Sequence, residues 1–417
     1  MSLRHSLVQE RASWQSRAVR IAIVAANQGL LGGVETYLTW LIDALVRRGH
    51  QVAFAFERPS ANPQKSVGLA VEPLVRWNLE AISSAVFLDQ LTAFEPDVVF
   101  LHALEDEALD LALTQRFPAV LFAHAFYAAC ATGWRVHRIP QRQICTRRFG
   151  PACLPINYLR GCGARSPIPL LQLYAKQRAR SNVLKGLAGL VVASEYMRSV
   201  YVQHGVPESD VHVIPPPAAF APDSIPPDPR ESRNRVLFLG RLTSGKGGMK
   251  AVQAAARCQR MLGWTLQLTL AGDGPELARC KELAVKLGIS TDFPGWVGPE
   301  QRMALLRNAH VLLVPSRWPE PFGIVGIEAA SVGVPAVAYA AGGIVDWLRP
   351  GESGELADGI GFGTQALAEA LARALRDAQH YRMLQLGAWR IAHEFGGEQH
   401  LCKLETLFRK VARGEPS

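Results

Sequence analysis

The chain has 417 residues, 48% hydrophobic and 19% charged, with a formal charge of +9. That length allows two domains of ~100–200 residues each, and the composition excludes a disordered or low-complexity chain. No apolar run reaches the ~18 residues of a membrane span; the longest candidate, residues 118–132, is broken by His124. The first twenty residues are polar and charged without an apolar centre, unlike a signal peptide, and residues 1–19 are expected to form a flexible arm.

Residues 20–25 predict a buried strand, followed by a Gly-rich loop over 27–33. A helix comes next, with Leu38, Leu41, Ile42, Leu45 and Val46 on one face and Gly49 as its stop. A strand at 52–56 completes a βαβ unit, which forces parallel pairing. Further strands are predicted at 97–101, 119–123, 190–193 and 211–214, so residues 20–214 form a first α/β domain. Seven prolines between 215 and 229 then mark a stiff linker, residues 215–232. A second series opens with a strand at 235–240 and adds strands at 266–271, 311–314 and 335–339. Helices are predicted between them at 275–287 and 301–309, giving a second α/β domain over 233–385. The tail over 365–411 reads as helix with one interruption at Gly396-Gly397, and residues 386–417 are expected to pack back toward the first domain. Two doubly wound domains joined this way face a cleft, and ligands of such sheets bind at the carboxyl ends of the strands.

The charge is unevenly spread. Between Asp110 and Glu195 there is no acidic residue, and that stretch carries twelve Lys or Arg. A one-signed surface favours an anionic partner, here an anionic membrane or a phosphorylated, lipid-linked acceptor. No nucleic-acid motif is present, so nucleic acid is not an expected partner. Seven cysteines without an export signal are expected as free thiols. Cys130, Cys145, Cys153 and Cys162 cluster in the basic stretch but include no C-x2-C pair of the kind zinc sites use.

The most informative residues are Glu320 and Glu328, in the run Glu-Pro-Phe-Gly-Ile-Val-Gly-Ile-Glu after the 311–314 strand. Pro321 and Gly323 suit a turn that opens a helix, so one acid lies before the helix and the other about a turn inside it. Free N–H groups between them, at the positive end of the helix dipole, attract phosphate. The acids stand roughly 10 Å apart, which spans a sugar nucleotide from sugar to ribose. Arg241 and Lys246 sit in the loop after the 235–240 strand, where fixed cations suit a diphosphate. Gly32-Gly33 permits close backbone approach, and His124 ends an apolar strand. Gly272-Asp273-Gly274-Pro275, Gly295-Trp296-Val297 and Gly342-Gly343 are further tight turns at strand ends.

Taken in order, these segments resemble the retaining glycosyltransferases of family 4 (group 1), which have the GT-B fold of two Rossmann-like domains. The resemblance spans roughly residues 20–410 and rests most on the acid pair and its flanks, Pro315-Ser316 through Gly333-Val334-Pro335. It makes residues 20–214 the acceptor side and 233–385 the NDP-sugar side. It implies that Arg241 and Lys246 bind the donor diphosphate and that Gly33 touches it across the cleft. Phe322, Gly323 and Ile324 would offer N–H groups, Glu320 would hold sugar hydroxyls, and Glu328 the ribose. His124 would stand at the reaction centre and Val297 would present its backbone to the base. Asp346 stands where the family often has Glu, so an acid survives there. Residues 130–185 match no family motif, which leaves the acceptor open.

The expected activity is therefore hexosyl transfer from an NDP-sugar with retention, in cell-surface polysaccharide or glycolipid synthesis. The expected place is cytoplasmic, peripheral at the cytoplasmic face of a membrane. No D-x-D is present, and no metal or other cofactor is expected. The alternatives are a sugar-nucleotide epimerase or hydrolase of the same architecture and a non-catalytic membrane-surface binding protein.

Overall fold

In the computed structural model, residues 18–29, 33–61, 66–68, 71, 74–218, 221–229, 232–357 and 361–415 are described. Gly32 and nearly all of the expected arm lie outside them. The first α/β series runs β1 (Arg20–Asn27), α1 (Gly33–Arg47), β2 (Gln51–Arg58), β3 (Val75–Asn78), α2 (Ser84–Phe94), β4 (Val98–His102), α3 (Glu107–Arg116) and β5 (Ala119–Ala123). An inserted arm follows: a short hairpin of β6 (Val136–His137) and β7 (Gln143–Ile144), then α4 (Cys153–Arg160) and α5 (Pro167–Lys185). The series closes with β8 (Gly189–Val192), α6 (Glu195–Gln203) and β9 (Val211–Val213). Its seven strands pair in parallel in the order β3-β2-β1-β4-β5-β8-β9. Ile21 through Val24 are fully buried, as expected of a central parallel strand covered on both faces.

The second series comprises β10 (Arg235–Leu239), α7 (Gly248–Leu262), β11 (Gln267–Ala271), α8 (Leu277–Leu287), β12 (Ser290–Gly295), α9 (Pro299–Asn308), β13 (Val311–Val314), α10 (Ile324–Ala330), β14 (Ala336–Tyr339) and β15 (Gly354–Ala357). These six strands are also parallel, in the order β12-β11-β10-β13-β14-β15. The tail is α11 (Thr364–Arg376), α12 (Ala378–Glu394) and α13 (Gly397–Ala412). It breaks at Asp377 as well as before Gly397, because the Asp377 carboxylate accepts from His380 N at 2.6 Å and caps a new helix.

Helix α13 packs on the first sheet domain. Phe408 meets Phe100 at 5.0 Å, the Glu405 carboxylate holds Arg48 and His50 at 3.0 Å each, and His400 Nε2 lies 2.8 Å from Tyr37 Oη. The proline-rich segment is pinned rather than free: Arg307 pairs with Asp223 at 2.7 Å, and Trp389 Nε1 donates to the Asp223 carbonyl at 2.6 Å. The acid-free stretch does not form a single basic face. Arg135 is buried, donating to the Ala129 carbonyl at 3.0 Å, while Lys176 reaches the Glu105 carbonyl and Arg180 the Leu104 carbonyl. The remaining exposed cations lie mostly on the inserted arm.

Candidate functional site

In each sheet the strand order reverses at one place, between β1 and β4 and between β10 and β13. Such switch points open a crevice at the strands' carboxyl ends. Gly33 follows β1, Arg241 and Lys246 follow β10, and Glu320 through Ile324 follow β13, all beside one of these two crevices.

The loop after β10 carries Arg241 and Lys246. It rests on the loop after β11, with Leu242 N donating to the Asp273 carbonyl at 2.8 Å. Gly272 has φ 142°, and a Cβ there would fall 2.0 Å from the Gly240 carbonyl oxygen, so no other residue fits this contact. Arg241 is exposed, and its side chain makes no hydrogen bond or ion pair among the described residues. Lys246 is engaged instead: its Nζ lies 2.8 and 3.0 Å from the two oxygens of Glu320, and 5.3 Å from the centre of the Trp318 ring.

Glu320 is 4% exposed. Besides Lys246, Oε1 accepts from Trp318 Nε1 at 2.9 Å and from the Ser316 hydroxyl. A buried carboxylate is tolerated only when paired and hydrogen-bonded, and these three side chains meet that demand. The main chain of Glu320 is fixed as firmly. Its N–H donates to the Ala341 carbonyl at 3.1 Å and its carbonyl accepts from Gly343 N at 2.8 Å. Gly342, at φ 69°, lies so close that a Cβ would sit 2.3 Å from that carbonyl oxygen. The Gly-Gly turn read from the sequence is therefore the clamp that fixes Glu320.

Gly323, at φ 86°, turns the chain into α10. Phe322 is buried against Phe395, with ring centres 5.2 Å apart, and its carbonyl accepts from Trp347 Nε1 at 2.7 Å. Ile324 opens the helix, and Glu328 lies a turn inside it, 3% exposed, with Arg302 of α9 at 2.9 Å. Burial pushes the Glu328 carboxyl up from its ordinary value, and Arg302 opposes that shift. Val297 is buried just beyond β12, next to the exposed Trp296.

Across the cleft, Gly33 opens α1 with clear space around it, since a Cβ there would meet nothing within 4 Å. His124 follows β5, and His102 ends the neighbouring β4. His124 Nε2 lies 2.7 Å from His102 Nδ1, and the rings stack at 5.0 Å. Burial, then His400, pushes His124 down to about 3, and burial, then His124, pushes His102 well below its ordinary value. Both imidazoles are neutral at pH 7, so one ring donates the shared hydrogen bond and the other accepts it. His102 Nε2 is buried without a partner among the described residues. Both rings line a cavity of ≈ 270 Å³ together with Asn27, Glu35, Tyr127 and Arg180.

The two halves touch directly. Ser194 Oγ donates to the Pro321 carbonyl at 2.5 Å, and Glu195 N, in the first turn of α6, donates to Asp346 Oδ2 at 2.6 Å. Ser194 caps α6 by accepting from Met197 N, and Asp346 of the other domain satisfies the further N–H of Glu195; burial pushes the Asp346 carboxyl up. Trp318 meets Phe126 at 6.4 Å and Trp134 at 5.8 Å, and Arg142 donates to Ser244 Oγ at 3.0 Å. The arm that carried no recognisable motif therefore reaches the loop holding Lys246. Ser316, Trp318, Arg302 and His102 are the site residues to which sequence reasoning gave no role. His102 had a signal, since a histidine stands at the carboxyl end of each of two neighbouring strands, His102 closing β4 and His124 following β5.

Among the described residues no group of three His, Cys, Asp or Glu could hold a metal ion, and no helix is long and apolar enough to cross a membrane. The seven cysteines are free.

Comparison with known proteins gives one answer. Residues 31–218 match the family described as Glycosyltransferase Family 4, and residues 223–388 match Glycosyl transferases group 1. The chain is 26% identical over 356 residues to D-inositol 3-phosphate glycosyltransferase of Corynebacterium jeikeium, covering 79% of this chain and 81% of that one. The fold is similar to Anabaena Alr3699/HepE, solved with UDP and glucose (TM-score 0.67, 18% identity, 93% of this chain and 99% of that one). It is also similar to WaaG, a glycosyltransferase involved in lipopolysaccharide biosynthesis (TM-score 0.63, 16% identity, 94% and 100%).

Proposed function

The chain belongs to the group 1 glycosyltransferases with a GT-B fold, and on that premise we propose that it is a retaining hexosyltransferase using an NDP-sugar. One observation carries this reading: a buried carboxylate, Glu320, at the switch point of the second sheet, saturated by Lys246, Trp318 and Ser316.

In this reading the sugar occupies the cleft beside Glu320, which accepts from its hydroxyls. Arg241 and Lys246 hold the diphosphate, and the N–H groups of Phe322, Gly323 and Ile324 add to that cradle. Glu328 takes the ribose hydroxyls and the backbone of Val297 meets the base. Gly33 approaches the phosphate from the opposite side. Breaking the sugar–phosphate bond puts negative charge on the leaving diphosphate and oxocarbenium character on the sugar. Fixed cations and oriented N–H groups stabilise the leaving group without reorganising, and no metal is needed for that task. Neutral His124 sits at the sugar and offers a hydrogen bond without adding a positive charge beside an oxocarbenium ion. Contacts such as Ser194–Pro321 close the cleft and exclude water, which favours transfer over hydrolysis. A hydrolase or epimerase needs a basic carboxylate or a poised water at the anomeric carbon. Glu320 is instead held by three donors at the cleft, an arrangement that suits binding of sugar hydroxyls and favours the transferase reading.

The acceptor is a hydroxyl of a lipid-linked or otherwise anionic molecule, and the work is cell-surface polysaccharide or glycolipid assembly at the cytoplasmic face of a membrane. Support comes from the arm, where Tyr158, Leu159, Ile168 and Leu171 are 47–70% exposed beside exposed Arg147, Arg148, Arg160 and Arg165. Apolar side chains ringed by arginine suit an anionic lipid surface.

The test incubates purified protein with a panel of NDP-hexoses, with and without anionic vesicles carrying a lipid-linked acceptor. NDP release from one donor, rising when acceptor is added, with product of the donor's anomeric configuration, is the expected result. The protein should sediment with the vesicles at low salt and not at high salt. Rapid acceptor-independent turnover would replace transfer with hydrolysis or epimerisation. Vesicle binding without turnover on any donor would leave only a binding protein.

A further inference from the structure

A second cavity lies along α7, in the domain built on the second sheet. Its volume is ≈ 460 Å³, and Lys250, Arg257, Arg260 and Lys286 line it. Lys250, Gln253, Arg257 and Arg260 fall at i, i+3, i+7 and i+10 of α7, a single stripe of that helix. At ~1.5 Å per residue the stripe runs roughly 15 Å. Lys286 faces it from the end of α8, and Thr364, the first residue of α11, closes the inner end. Lys250 Nζ donates to Thr364 Oγ1 at 2.8 Å, Thr364 Oγ1 to Gln253 Oε1 at 3.0 Å, and Arg257 to Gln365 Oε1 at 2.9 Å.

The groove has charge of one sign only. No acid lines it, and none of its four cations makes an ion pair among the described residues. The acid in the same hydrogen-bond network, Glu369, accepts from Gln365 rather than from a cation. Gly363 caps α11 without a side chain, so the positive end of that helix adds to the field. Four unpaired cations and an uncapped helix end facing one depression repel one another, and an anion relieves that repulsion.

We propose that this groove is an anion-binding site for a small molecule carrying several phosphate groups in a row. A single phosphate is too short to reach both Lys250 and Arg260, whereas a chain of phosphates meets charge-assisted donors along the whole stripe. The groove is distinct from the diphosphate cradle of the cleft. Lys246 lies before α7, and the cations of the groove run down the helix from its first turn to its last.

The experiment titrates tripolyphosphate, pyrophosphate and inorganic phosphate into the full chain by calorimetry, in the presence of saturating UDP. Tripolyphosphate should bind at least about tenfold tighter than phosphate. Arg257→Ala with Arg260→Ala should weaken it by at least about tenfold while leaving UDP affinity unchanged. Lys286→Ala, a single exposed substitution, should weaken it by about threefold. Equal affinity for phosphate and tripolyphosphate would overturn the proposal. So would competition with UDP, or variants that bind as the native chain does.

Discussion

Glu320→Gln is expected to lower NDP release from the preferred donor by about 10²–10³-fold, chiefly in kcat, with the fold retained. The substitution keeps the shape of the side chain and removes its charge. The amide then turns one NH2 group toward donors, and the hydroxyls of the sugar lose a charged acceptor. An interaction made to developing charge in a water-poor cleft is worth about 2.7–4 kcal/mol in the transition state, which is the fall stated. Steady-state kinetics with purified variant measure it, and a native kcat would remove Glu320 from the machinery.

Lys246→Met has the second large effect, and it falls on stability as well as turnover. Glu320 is nearly buried and keeps only Trp318 and Ser316 when the ammonium goes. Breaking a buried pair from one side costs about 3–5 kcal/mol. The Lys246 side chain is 29% exposed, so about 2–4 kcal/mol is the appropriate range. Urea unfolding reads this cost. The double variant Lys246→Met, Glu320→Gln should recover most of it, because the orphaned charge is gone, yet remain as slow as either single variant. Equal stability of Lys246→Met and the native chain would mean that Glu320 does not depend on its cation.

Much of this was legible in the sequence for a physical reason. Central strands such as β1, β4, β5 and β13 are continuous apolar runs, since both of their faces are covered. In the two parallel sheets the strands that gave no signal, β3, β12 and β15, all lie at edges; half-exposed positions dilute the pattern in β3 and β12, and β15 is only four residues, Gly-Glu-Leu-Ala. Glu320 and Glu328 were visible because turn residues and a helix start flank them in sequence. Their partners were not, because pairing across 74 positions to Lys246 or 26 to Arg302 leaves no local period. The sequence marks Lys246 only as a cation suited to phosphate, and the structure adds that it pairs with Glu320. Trp318 and the arm tryptophan Trp134 illustrate the same limit: each is an unremarkable aromatic until the two domains meet.

The most direct test is a crystal structure of the full chain with UDP. The diphosphate is expected within hydrogen-bonding distance of Arg241 and Lys246, the ribose hydroxyls on Glu328, and the Glu320 side chain open to the space where the sugar attaches. A nucleotide bound outside the cleft, or one whose ribose turns away from Glu328, would contradict this arrangement.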